Sequence, residues 1–103
     1  MKIMLVCASG QSTSFLAAAI RKVAAKRKMD VEVCAHGVSE IEEFVEDIDI
    51  VIVAPQGMYA FDQVNACCQK HNVKCTPMNS LAYRMIDGEK LLDDAIKVLE
   101  GGN

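Results

Sequence analysis

Five cysteines occur in the chain, and one of them sits in a chemically distinctive context. Cys7 closes the apolar run Ile3-Met4-Leu5-Val6 and is followed by Ala8-Ser9-Gly10-Gln11-Ser12-Thr13-Ser14. Small side chains and Gly10 let a backbone curl so that successive N–H groups point inward. Ser12, Thr13 and Ser14 add short hydroxyl donors where a helix is predicted to begin, and the positive end of that helix's dipole lies at the same place. The combination favours a bound anion. A thiol held in such a cradle is expected to have a lowered pKa and to be partly thiolate near neutral pH. A phosphoryl group on that sulfur would have its oxygens bound by the same amides. The plain alternative is a buried strand-end cysteine followed by a capped turn, but the seven residues after Cys7 favour a nucleophile that accepts phosphate.

The remaining side chains carry blander readings. Cys34, Cys67, Cys68 and Cys75 offer no Cys-x-x-Cys spacing, and adjacent Cys67 and Cys68 in a helical pattern do not face each other. Neither a disulfide framework nor a structural zinc site is expected, so these thiols read as small core residues. His36 and His71 show no carboxylate or cysteine partner at ligand spacing, so no metal ligand is assigned and no cofactor is required. Gln56 and Gly57 follow the third predicted strand and should share a rim with Cys7. Gly57 either supplies another backbone donor or simply completes the turn Pro55-Gln56-Gly57. Tyr59 and Tyr83 either line a docking surface or are half-buried rings with wet hydroxyls. Met58, Met78 and Met85 fit a contact patch about as well as core filling.

The elements that must position these residues alternate along the chain. Buried strands are predicted at Ile3–Val6, Val31–Ala35, Asp49–Val53 and Val73–Thr76. Between them, a helix is predicted from about Ser12 to Lys28 with Phe15, Leu16, Ile20, Val23 and Ala24 as its apolar stripe. A short helix capped by Ser39 and Glu42 would turn Ile41, Phe44 and Val45 inward. Another runs from about Met58 to Lys70 with Phe61, Val64 and Cys68 inward. Asn79–Met85 is predicted as a helical turn. Asp87 then opens a last helix through Leu91, Leu92, Ile96 and Leu99, ended by Gly101-Gly102. Strand and helix repeated four times imply one α/β domain over residues 1–103, with a four-stranded parallel sheet flanked by helices on both faces. In such sheets ligands bind beyond the carboxyl ends of the strands, where strand order reverses.

Composition narrows the function classes. The chain has 103 residues, 51% of them hydrophobic and 24% charged, with a net charge of −3. That balance fits a cytoplasmic globular protein and gives no electrostatic footprint for nucleic acid. No apolar run approaches the roughly 18 residues needed to cross a bilayer, so no direct membrane insertion is expected. A receiver-type signalling domain needs acidic residues after the first strand and an Asp at the end of the third, where this chain has Val6-Cys7 and Val53-Ala54. Gly-x-Gly-x-x-Gly and the Lys-bearing phosphate loop are both missing.

The segment from Cys7 resembles the phosphocysteine loop of enzyme IIB of the lactose/cellobiose (diacetylchitobiose) group of the sugar phosphotransferase system, Cys-x-x-Gly-x-Ser-Thr-Ser. Cys7, Gly10, Ser12, Thr13 and Ser14 match it. Similarity continues at Ala54-Pro55-Gln56 with Tyr59, and at Asn79-Ser80-Leu81-Ala82-Tyr83 leading to Asp87-Gly88. Asn79 departs from the Asp common in relatives. The resemblance implies a three-layer sandwich like flavodoxin and the low-molecular-weight phosphatases. It also implies a protein-phosphocysteine–sugar phosphotransferase with Cys7 phosphorylated, a histidine-phosphorylated enzyme IIA as donor, and a membrane enzyme IIC with bound sugar as acceptor. Cellobiose, chitobiose, lactose and other β-glycosides are the substrate class implied. The nearest alternative is a low-molecular-weight tyrosine phosphatase or an arsenate-reductase-like thiol enzyme. The phosphatase loop Cys-x5-Arg would place its arginine at Thr13, and its Asp-Pro acid corresponds only to Thr76-Pro77.

Overall fold

The computed structural model describes residues 1–9 and 13–101. Four strands form one fully parallel sheet in the order β2-β1-β3-β4, with β1 at Lys2–Cys7, β2 at Glu32–Gly37, β3 at Ile50–Val53 and β4 at Lys74–Pro77. The helices are α1 (Ser14–Lys26), α2 (Ile41–Phe44, continued at each end by a 3-10 turn), α3 (Phe61–Lys70, preceded by a 3-10 segment Pro55–Ala60), α4 (Ser80–Met85) and α5 (Gly88–Leu99). The expected three-layer α/β architecture is therefore observed.

Alternation along the central strands explains why the sheet has two cores. Ile3, Leu5 and Cys7 of β1 join Ile50, Ile52 and Ala54 against Leu16, Ala17 and Ile20 of α1 and Leu91, Leu92 and Ala95 of α5. Met4 and Val6 join Val51 and Val53 on the other face, against Ile41 and Val45 and against Val64, Cys67 and Cys68 of α3. A strand buried on both faces has no polar side to show, which accounts for the unbroken apolar runs. Each fully buried aliphatic side chain contributes about 1.5–3 kcal/mol.

Several details differ from expectation. Phe15 is 73% exposed, and the inward arc of α1 is instead Leu16, Ala17, Ile20 and Ala24. Phe44 is also exposed; its ring stacks on His36 with centroids 4.0 Å apart. The expected Ser39–Glu42 cap is displaced by two residues, because β2 runs on to Gly37 and the Glu40 carboxylate accepts the Gly37 N–H at 2.9 Å. Asn79 and Asp87 cap α4 and α5, accepting the amides of Ala82 at 2.8 Å and Lys90 at 3.0 Å. Of the predicted terminator Gly101-Gly102, Gly101 follows α5 with a left-handed φ of 86°, and Gly102 lies outside the described residues.

Gly88 fixes how closely α5 approaches α1. A Cβ at this position would lie 2.5 Å from the carbonyl carbon and oxygen of Ala19 and 2.9 Å from the amide nitrogen of Ile20. These are backbone atoms and cannot rotate away, so Gly88→Ala is expected to lower stability by about 2–3 kcal/mol. A urea midpoint measured for both proteins checks this; an unchanged midpoint would show that the helices separate freely.

Candidate active site

Parallel pairing brings the strand ends together on one rim. Cys7 stands opposite Gly37, Val6 opposite Val53, and Val53 opposite Pro77. Cys7 is the last residue of β1 and is fully buried. Thr13, equally buried, immediately precedes α1, and its hydroxyl donates toward Cys7 Sγ at 3.8 Å. The Thr13 carbonyl accepts the Ala17 amide at 2.9 Å, so the residue beside the sulfur also begins the helix. Ser14 is the first residue of α1, while Ala8 and Ser9 lead out of β1 with exposed side chains. Gly10, Gln11 and Ser12, the middle of the expected phosphoryl-binding loop, lie outside the described residues.

The turn after β3 packs against the same strand end. Ala54 N–H donates to the Val6 carbonyl at 2.7 Å, and the Gly57 amide donates to Ala54 at 2.9 Å. The Gly57 N–H is therefore engaged within its own turn. Its importance is steric. A Cβ there would meet Cys7 Cα, the Val6 carbonyl oxygen and Val53 Cγ1, each at 3.3 Å. Gln56 Nε2 donates to the Tyr83 hydroxyl and ties this turn to α4. Tyr59 projects outward and is 76% exposed. Of the three methionines read as either contact patch or core filling, Met58 and Met85 are exposed and Met78 is core.

The lactose/cellobiose-specific IIB subunit family of the PTS system matches residues 2–94. The chain belongs to that family. A curated relative, the oligo-beta-mannoside-specific EIIB component of Bacillus subtilis strain 168, is 28% identical over 98 residues, spanning 95% of each chain. The lactose-specific EIICB component of Lactococcus lactis subsp. lactis is 31% identical over 81 residues, which is 79% of this chain and 14% of that longer protein. The solution structure of a cellobiose-specific phosphotransferase IIB component from Borrelia burgdorferi superposes with a TM-score of 0.82 at 28% identity, covering 100% of this chain and 94% of the other. The lactose-specific IIB domain of Streptococcus pneumoniae, at 17% identity, shares the fold with a TM-score of 0.85, covering 94% and 95%. The protein is thus a IIB component of a lactose/cellobiose-type sugar phosphotransferase system. No helix among its described residues is long and apolar enough to cross a membrane.

In this IIB subunit the other thiols sit in different surroundings. Burial pushes the Cys34 and Cys67 thiols up, the Glu42 carboxylate adding to the effect at Cys67. Cys68 is also raised, by a hydrogen bond with Cys75 and by burial. The histidines are not as isolated as the sequence suggested. His36 Nδ1 lies 3.4 Å from Glu40 Oε1, and His71 shares a cluster with Glu42 and Cys67.

Sequence reasoning missed Gly37. A Cβ on it would sit 3.2 Å from the Ala8 carbonyl oxygen and from the Ser9 carbonyl carbon, so the first residues after Cys7 lie directly on this glycine. Its amide is held by Glu40, whose carboxyl is lowered from the ordinary range first by that bond and then by His36. A folded-state pKa below the unfolded value stabilises the fold above the ordinary glutamate pKa of about 4.3 and loses that contribution as pH falls through the folded value. Glu40→Gln is therefore expected to be less stable than the parent at pH 7, with the difference shrinking toward pH 3. Thermal unfolding across that range measures it; a constant difference would assign the effect to packing.

Proposed function

We propose that Cys7 carries the phosphoryl group, taking it from a phosphohistidine of an enzyme IIA and delivering it to a hydroxyl of a β-glycoside bound on a membrane enzyme IIC. The observation that carries this reading is the Cys7 sulfur at the carboxyl end of the central strand, with the buried Thr13 hydroxyl directed at it from the start of α1. Negative charge at this place is favoured by the helix dipole. The names of relatives specific for oligo-β-mannoside, lactose and cellobiose support the sugar class. A relative named EIICB supports a C component as acceptor partner.

The chemistry is two in-line displacements. The Cys7 thiolate attacks phosphorus, the P–N bond of the donor breaks, and its electron pair returns to the imidazole. Amides of residues 8–14 and the hydroxyls of Ser12, Thr13 and Ser14 hold the equatorial oxygens through the transfer. A sugar hydroxyl then attacks phosphorus; the S–P bond breaks, its electrons return to Cys7, and the hydroxyl proton passes to a base on the membrane partner. Thr13 stands where a phosphatase of related fold carries an arginine, and Thr76-Pro77 offers no acid for a leaving group. Without that bidentate clamp, water attacks slowly, as a carrier requires. The acquired charge of about −1.5 to −2 alters the rim on which Gln56, Tyr59 and Tyr83 form the docking surface, while Gly57 supports Cys7 from beneath.

Intact mass after incubation with phosphoenolpyruvate and the donor proteins is expected to rise by one phosphoryl group, about 80 Da. Cys7→Ser is expected to gain nothing. Thr13→Val, which removes one hydrogen bond to a charged sulfur, is expected to accept phosphate about tenfold more slowly with an unchanged circular dichroism spectrum. Stoichiometric phosphorylation of Cys7→Ser would refute the assignment.

A further inference from the structure

Away from the rim, a second set of chemically capable side chains meets between α2 and α3. Cys67 lies in the last turn of α3 and His71 four positions on at its C-cap, a spacing that puts both side chains over one face. Glu42 of α2 completes the group. One carboxylate oxygen, the thiol sulfur and one ring nitrogen all lie within 4.8 Å of one another. Glu42 and Cys67 also line a cleft of about 160 Å³ together with Gln63 and Lys70. The Lys70 ammonium is 3.4 Å from Glu42 Oε1, so this carboxylate already faces a cation.

We propose that Glu42, Cys67 and His71 bind a divalent cation of the zinc class, with water at the fourth position. Sulfur, imidazole nitrogen and carboxylate oxygen are the donors such ions take in tetrahedral sites that keep one position open. Bonds of about 2.0–2.3 Å place tetrahedral donors roughly 3.3–3.8 Å apart, so these three need to close by about an ångström. Glu42 is exposed and His71 partly so, which leaves both free to make that movement, while Cys67 is anchored in the core. Lys70, 67% exposed, swings into solvent as the ion takes its place. The thiol proton leaves to water as the metal–sulfur bond forms. A thiolate and an imidazole disfavour magnesium and calcium, which prefer oxygen alone.

This site is distinct from the phosphoryl site. Cys67 belongs to the core beneath α2 and α3, whereas Cys7 belongs to the core beneath α1 and α5, on the opposite face of the sheet.

Cobalt(II) provides the test, because tetrahedral thiolate coordination gives it strong visible absorption and a sulfur-to-metal charge-transfer band. The titration uses Cys7→Ser as parent, which removes the phosphoryl-site thiol, while Cys34, Cys68 and Cys75 stay constant in every variant. One equivalent of cobalt is expected to develop both features, and zinc to abolish them. Adding Cys67→Ser should remove the charge-transfer band. Adding Glu42→Gln or His71→Ala, both changes at accessible side chains, should weaken affinity at least about tenfold. A parent showing only octahedral cobalt, or unchanged affinity in both surface variants, would overturn the proposal. Should the Cys67→Ser protein fail to fold, those two variants decide.

Discussion

Strand β1 is enclosed on every side. β2 and β3 take both of its edges, and packed helices cover both of its faces. A strand so enclosed can present chemistry only at its ends. Because all four strands are parallel, the carboxyl end of β1 opens where the chain leaves toward opposite sides of the sheet, the geometry that gives open α/β sheets their binding crevices. Cys7 occupies that end. Its position therefore follows from the sheet order, and the surrounding glycines follow from how tightly the neighbouring strand ends must approach it. Gly37 supports the first residues after the cysteine, and Gly57 lies against the cysteine's own backbone. Neither position has room for a methyl group without displacing its neighbours.

Much of this was legible in the sequence, for a physical reason. A doubly covered strand must be continuously apolar, so Ile3–Val6 and Ile50–Val53 announce themselves. The Cys7 segment stood out because its small and hydroxylated residues differ so sharply from the apolar run before it. Helix faces were less legible. Periodicity located α1 but assigned Phe15 inward, since a large apolar residue outweighs Ala17 in any count of hydrophobicity. The close approach of helix to sheet favours alanine there, and Phe15 falls on the solvent side. Phe44 was misplaced similarly: α2 is so short that Ile41 and Val45 suffice to bury its face.

What stayed hidden depends on residues far apart in the chain. The support Gly37 gives Ala8 and Ser9 exists only once β2 pairs beside β1, and no spacing rule encodes it. Within the Glu42–Cys67–His71 cluster, the four-residue interval from Cys67 to His71 stood in the sequence but was passed over when His71 was read as lacking a ligand partner. Its third member arrives from another helix across the same core.

The pairing of β1 also bears on the order in which the molecule assembles. Ile3 must find Val33 on one side and Ile50 on the other, so its ladders close over long stretches of intervening chain. Such long-range closures cost entropy before contacts repay it and slow folding relative to local structure. A ribosome has emitted Cys7 long before it emits either partner strand. Until the middle of the chain has emerged and docked, this cysteine is an ordinary thiol on a flexible segment. The enclosed setting of Cys7 thus arrives with the completed sheet, late in the life of the nascent polypeptide.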